Sequence, residues 1–207
     1  MTSTLDKMPS GAIIDLDGTL LDSLPFWDRL NIDYLHSKGK VAEPGLHLVL
    51  KDMEIDAGSA YLKEHYGLAE DTDTIASEIF AMIRHVYTDE APLFPGAAEF
   101  LQSLHATGTR LALFTSTEQS LAEAALARHH VLDLFTCVIS TVASDLDKHS
   151  PESFLRVLER LGADLHRTVV YDDATYALEA AKKAGLRTVG VRTEGTSSAL
   201  PPFYNQE

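Results

Sequence analysis

Cysteine is all but absent: Cys137 stands alone among 207 residues. One thiol cannot close an internal disulfide, so the fold needs no oxidising compartment. Basic residues are scarce as well. Lys and Arg total 17 against 31 Asp and Glu, a formal net charge of -14. Such a surface repels nucleic acid and anionic membranes, whose recognition needs clustered Lys and Arg. No apolar run approaches the length of a bilayer-spanning helix. The first ten residues, MTSTLDKMPS, are polar and lack a signal-like apolar stretch, so the expected location is the cytoplasm. The nine histidines show no metal-ligand spacing. What remains is ordinary globular composition, 45% hydrophobic and 23% charged, sized for one domain or one domain carrying a smaller insert.

Short β-branched runs alternate with longer helical patterns. Ala12–Asp15, Arg110–Thr115, Thr136–Val142, Thr168–Asp172 and Arg187–Val191 read as strands. Their nearly continuous apolar character suits a parallel sheet buried on both faces. Between them, Ala97–Ala106, Glu118–His129, Glu152–Leu161 and Tyr176–Ala184 read as helices. Gly108, Gly162 and Gly185 follow three of these, where a helix end favours glycine, and Pro151 falls at a first helical position. His129-His130 reads as a helix end, and Cys137 as strand packing. The alternation predicts a doubly wound, Rossmann-like α/β fold with a parallel sheet. One stretch breaks it. From Ser23 to about Ala91 there is no strand pattern, and Phe26–Ser37, Ala57–Tyr66 and Thr72–Tyr87 look amphipathic and helical. This predicts an α/β core over residues 1–22 and 92–207, with an all-helical domain, 23–91, inserted after the first strand. The tail from Arg192 to Glu207 reads as irregular.

The chemistry concentrates after strand one, in Asp15-Leu16-Asp17-Gly18-Thr19-Leu20-Leu21-Asp22. Carboxylates at i and i+2 leave a strand end pointing the same way before the chain turns at Gly18. Buried this close, both ionise only if a cation lies between them; otherwise one keeps its proton. That pairing suits one nucleophilic carboxylate and one general acid/base. An Asp-x-Asp-Gly surface turn is the bland reading of two such acids. The full eight-residue string behind an apolar strand argues against it.

This string resembles the first motif of the haloacid dehalogenase superfamily of aspartate-nucleophile phosphohydrolases. The resemblance continues in order along the chain. Thr115 in LALFTST matches a second motif, Lys148 in DKHSPESF a third, and Asp172-Asp173 in VVYDDATYALEAAKKAG a fourth. The helical insertion is similar to the small cap of the beta-phosphoglucomutase-like branch. The resemblance implies that Asp15 attacks phosphorus and that Asp17 protonates the leaving oxygen and then activates water. It implies that Thr115 and the backbone N–H of Ser116 hold phosphate oxygens, and that Lys148 offsets charge. It further implies a Mg²⁺ ion bound by Asp15, Asp173 and the backbone carbonyl of Asp17, with Asp172 assisting directly or through water.

The chain also departs from that branch. His149 stands where a proline is common and removes its constraint from the Lys148 loop. Asp172 is one methylene shorter than the usual Glu, and Ala174 replaces a frequent Ser. Trp27 occupies the place of a histidine that orients the acid/base in beta-phosphoglucomutase. The expectation is therefore a Mg²⁺-dependent phosphatase for a small phosphorylated metabolite. The alternatives are a sugar phosphomutase and a non-catalytic phosphosugar sensor, with a phosphonate hydrolase using Lys51 as a third. Specificity is expected from the stretch Gly45–Ala60, with His47, Lys51 and Met53, and then from Arg84 and His85.

Overall fold

The computed structural model describes residues 9–50, 53–142 and 144–191. The chain divides into two compact units, one formed by 1–22 with 91–207 and the other by 23–90. In the first unit, five parallel strands lie in the order β3-β2-β1-β4-β5. They are β1 (Gly11–Ile14), β2 (Arg110–Thr115), β3 (Phe135–Ser140), β4 (Thr168–Asp172) and β5 (Arg187–Gly190). The unit's helices are α5 (Ala97–Ala106), α6 (Gln119–Arg128), α7 (Pro151–Leu161) and α8 (Thr175–Lys183). Helix α7 begins with Pro151 in its first turn and ends at Gly162, whose φ of 66° an L side chain rarely adopts. Its Phe154, Val157, Leu158 and Leu161 recur at helical spacing. With Ala177, Ala180 and Ala181 of α8 they cover the sheet face formed by Ile13, Ala112, Phe114, Ile139 and Val170. Phe100 of α5 meets Tyr171, the next residue along β4, on the opposite face. The sheet is thus doubly wound.

Burial differs along the sheet. Strands β1 and β4 are buried throughout and β2 from Leu111 onward, whereas β3 is buried only at Ile139 and Ser140 and β5 is half exposed. The sequence predicts burial of all five on both faces. Strands β3 and β5 depart from that because each is an edge, paired on one side. Gly11 opens β1 where no side chain fits. A Cβ there would lie 2.6 Å from Ala163 Cβ and 2.8 Å from Thr168 Oγ1. Gly11→Ala is expected to cost about 1–3 kcal/mol, the scale of overpacking a core. An unchanged thermal unfolding midpoint would disprove this.

The second unit contains α1 (Leu24–Ser37), α2 (Leu46–Leu50), α3 (Ile55–Tyr66) and α4 (Thr72–His85), followed by a π-helical turn over Val86–Glu90. Asp71 caps α4 by accepting from Thr74 N–H at 2.7 Å. The pattern Thr72–Tyr87 predicts a single helix. Its last turn instead widens, and Thr88 Oγ1 donates to the Arg84 carbonyl at 3.0 Å. Helix α2 has no expectation behind it, because five residues are too few to display a period. The chain leaves and re-enters the first unit side by side: Asp22 N–H donates to Pro92 O at 2.9 Å, and Phe94 N–H to Leu20 O at 2.9 Å. Among the described residues no helix is long and apolar enough to cross a membrane. Residues 192–207 lie outside the described residues.

Candidate active site

Strands β1 and β4 are neighbours in register, Ile14 beside Tyr171. Pairing continues one residue further, where Asp15 N–H donates to Tyr171 O at 3.0 Å. The carboxyl ends of these strands therefore deliver Asp15 and Asp172-Asp173 together. This is the switch point of the sheet, with β2 on one side of β1 and β4 on the other. Open α/β sheets place ligands outside the strand carboxyl ends at such a point. Beyond Asp15 the chain turns through Gly18 at φ 76°, and the N–H groups of Leu20 and Leu21 both return to Leu16 O at 2.8 Å. That tight loop keeps Asp17 beside the strand end.

Lys148 comes from the loop between β3 and α7, 133 positions after Asp15. Its Nζ donates to Asp15 Oδ1 at 2.5 Å and to Asp172 Oδ2 at 2.8 Å. All three groups are buried. The ammonium also lies 5.8 Å from the centroid of the Phe114 ring. Burial weighs against the Lys148 charge, but the two carboxylates outweigh it and hold its pKa above the ordinary lysine value. Burial is also the largest influence on Asp15 and pushes its carboxyl above the usual range. Lys148 opposes that shift, and Asp172 and Asp17 add to it. Asp173 is raised too, by burial and then by Asp172. The site is short of positive charge.

Carboxylate oxygens of Asp15, Asp172 and Asp173 lie within 4.8 Å of one another. Three hard oxygen donors in a charge-deficient cluster fit a divalent cation. Asp172 also serves the protein itself. One of its oxygens holds Lys148, and the other accepts from Ala174 N–H at 2.8 Å. Asp17 is not among these three. Its Oδ2 accepts from the Thr117 hydroxyl at 2.5 Å.

Thr115 ends β2 fully buried, and its Oγ1 accepts from Thr117 N–H at 3.0 Å. That bond leaves the hydroxyl proton available for donation. Ser116 is exposed in the loop that follows. His149, in place of the proline, stacks on Tyr176 with ring centroids 4.1 Å apart and 13° between planes, tying the Lys148 loop to α8. The N–H of His149 donates to Asp147 Oδ1 at 2.8 Å. Thr117 and Tyr176 carry no motif signal. The hydroxyl run Thr115-Ser116-Thr117 is the one sequence hint of the former.

In the helical unit, Trp27, His47 and Met53 line a largely apolar cavity of about 510 Å³. Trp27 Nε1 donates to Tyr87 OH at 3.2 Å within that unit. His85 pairs with Asp89 at 3.0 Å and Glu90 at 3.1 Å, and Arg84 lies over the Phe80 ring. Neither Arg84 nor His85 lines the cavity. Lys51 lies outside the described residues. Cys137 packs against the core cluster, and burial raises its thiol pKa. His129 ends α6, donating its backbone N–H to Ala125 O.

The family model of haloacid dehalogenase-like hydrolases matches residues 9–185. A phosphorylated carbohydrates phosphatase of Thermotoga maritima is 28% identical over 177 residues, covering 86% of this chain and 82% of that protein. The fructose-1-phosphate phosphatase YqaB of Escherichia coli is 28% identical over 190 residues, covering 88% and 96%. The crystal structure of a candidate beta-phosphoglucomutase from Thermotoga maritima superposes with a TM-score of 0.80 at 27% identity, covering 91% of this chain and 88% of that one.

Proposed function

The chain belongs to the haloacid dehalogenase-like hydrolases, and from that membership we propose that it is a Mg²⁺-dependent phosphatase acting on a small phosphorylated metabolite through an aspartyl phosphate. The observation that carries this reading is the gathering of Asp15, Asp172, Asp173 and Lys148 at the adjoining ends of β1 and β4. A carboxylate oxygen of Asp15 forms a bond to phosphorus while the bond from phosphorus to the ester oxygen breaks. Asp17 gives its proton to that oxygen. Asp17, now a base, takes a proton from water, whose oxygen attacks phosphorus and releases phosphate and free Asp15. Lys148 offsets charge between nucleophile and phosphate. Thr115 Oγ1–H and the Ser116 N–H receive phosphate oxygens. Asp15 and Asp173, with the Asp17 carbonyl, are the residues that would hold Mg²⁺, and Asp172 keeps Lys148 in place beside them. When bound, the ion neutralises the phosphate's developing charge.

We read the helical unit as a cap, and the named relatives support a phosphorylated carbohydrate as substrate. Phosphate release across a panel of sugar, polyol and acyl phosphates tests the proposal. Free phosphate should exceed any isomerised sugar phosphate. Trp27, at the place of the histidine that orients the acid/base in beta-phosphoglucomutase, supports water, rather than a second sugar position, as acceptor. If beta-glucose 1-phosphate with a trace of the bisphosphate yields glucose 6-phosphate faster than phosphate, the protein is a mutase. Silence across the panel would favour the sensor.

A further inference from the structure

An acid/base carboxylate must sit within hydrogen-bond reach of the oxygen it serves, and its rotamer must be held there. Asp17 lies beyond the end of β1, at an isolated bridge to Leu21 that closes the turn through Gly18, and is half-buried, so its side chain needs a partner to hold it. Its Oδ2 accepts from Thr117 Oγ1 at 2.5 Å, across 100 positions of sequence. A hydroxyl donating to a carboxylate is a charge-assisted contact whenever that carboxylate is ionised, roughly twice as strong as a neutral hydrogen bond. Thr117 is well placed to act as a rigid donor. Threonine is stiff at χ1. Its own backbone is held at both ends, the N–H donating to Thr115 Oγ1 at 3.0 Å and the carbonyl accepting from Ser140 Oγ at 2.6 Å. Ser140, buried at the end of β3, is fixed in turn by Val142 N–H at 3.0 Å. The ends of β2 and β3 thus brace a single hydroxyl against the loop that leaves β1.

From this geometry we infer that Thr117 is the positioning residue for Asp17, holding Oδ2 so that Oδ1 carries the transferred proton. The inference rests on the acid/base role proposed above for Asp17. With Oδ2 accepting from the hydroxyl, the proton of the neutral acid goes to Oδ1. Thr117 itself neither bonds to phosphorus nor moves a proton to substrate.

The test compares kcat/KM, which reports formation of the aspartyl phosphate, for two kinds of ester. One is the best alkyl phosphate in the panel, whose leaving oxygen needs a proton. The other is 4-nitrophenyl phosphate, whose leaving group does not. Asp17→Asn should lower kcat/KM on the alkyl phosphate by on the order of 10²–10⁴. Thr117→Val keeps the shape and removes the donor. It should lower kcat/KM on the alkyl phosphate about 10- to 100-fold, the scale of one lost bond to a charged group, and change it far less on 4-nitrophenyl phosphate. Thr117→Ser, which restores the hydroxyl, should recover most of the rate. In the Asp17→Asn background, Thr117→Val should lose at most about twofold further, since coupled residues are not additive. An equal fall on both esters, or a fall that persists in the Asp17→Asn background, would overturn the inference and make Thr117 a substrate contact or a purely structural residue. Impaired Asp17→Asn beside an unimpaired Thr117→Val would sink the inference alone. An unimpaired Asp17→Asn would remove the acid/base reading and the inference with it.

Discussion

Asp15→Asn is expected to abolish turnover while leaving the protein folded. The amide is a poor nucleophile, so no bond to phosphorus forms. Loss of a covalent nucleophile elsewhere lowers kcat by on the order of 10⁶, and a comparable fall is expected here. The fold should tolerate the change for an electrostatic reason. Burial, Asp172 and Asp17 all disfavour the ionised form of Asp15, so the neutral isostere removes a repulsion along with the attraction to Lys148. Lys148 retains Asp172 at 2.8 Å and is not left as a lone buried charge. The unfolding midpoint should therefore stay level or rise. Two measurements check this together: thermal unfolding, and acid-quenched trapping of phosphate from labelled substrate. Wild type should trap label and Asp15→Asn none. A variant that turns over or traps label at a near-normal rate would show that the nucleophile is another residue.

Removal of divalent cations is expected to have the second largest effect. Asp15, Asp172 and Asp173 meet at one end of the sheet, close enough to Asp17 to feel its charge, and among the described residues the ion pairs to Asp15 and Asp172 both come from Lys148. A phosphate dianion entering that field would add to the excess. Thorough chelation should reduce phosphate release to background, and Mg²⁺ should restore it. Binding should also register without substrate. A ligand at 100 times its Kd stabilises the native state by about 2.7 kcal/mol, which raises Tm by several degrees in a chain of this size. Asp173→Asn should shrink that rise, because it removes a donor from the cluster. Undiminished activity after chelation, or a Mg²⁺-induced Tm shift indifferent to Asp173→Asn, would refute the assignment.

The elements that sequence reading places well are those whose signals are local. Arg110–Thr115, Thr168–Asp172 and Ala97–Ala106 have the same bounds in sequence and structure. Their apolar runs, Gly108 after α5 and Pro151 opening α7 all act within a few residues of themselves. Boundaries drift where capping decides them. Glu118 is the cap of α6 and not its first residue, because its carboxylate accepts from Ser120 and Leu121 N–H. Helix α2 and the π-helical turn escape for want of length and period.

The sequence by itself determined the strand–helix alternation, the helical insertion and the order of the acids, because each is written in hydrophobic period, turn chemistry or adjacency. Tertiary structure decided what those residues do to one another. Strands β3 and β5 carry apolar runs like the others, yet pairing on one side alone leaves them half exposed. Lys148 acquires its setting from two carboxylates at the ends of separate strands, 133 and 24 positions away. Its loop lacks a proline and is held through the ring of Tyr176. Asp17 is held by a threonine that no motif marks. Each of these contacts joins residues distant in the chain, and their energies depend on burial and on distances of a few ångströms. Neither quantity is a property of any local stretch of sequence, so both arise only once the sheet has assembled.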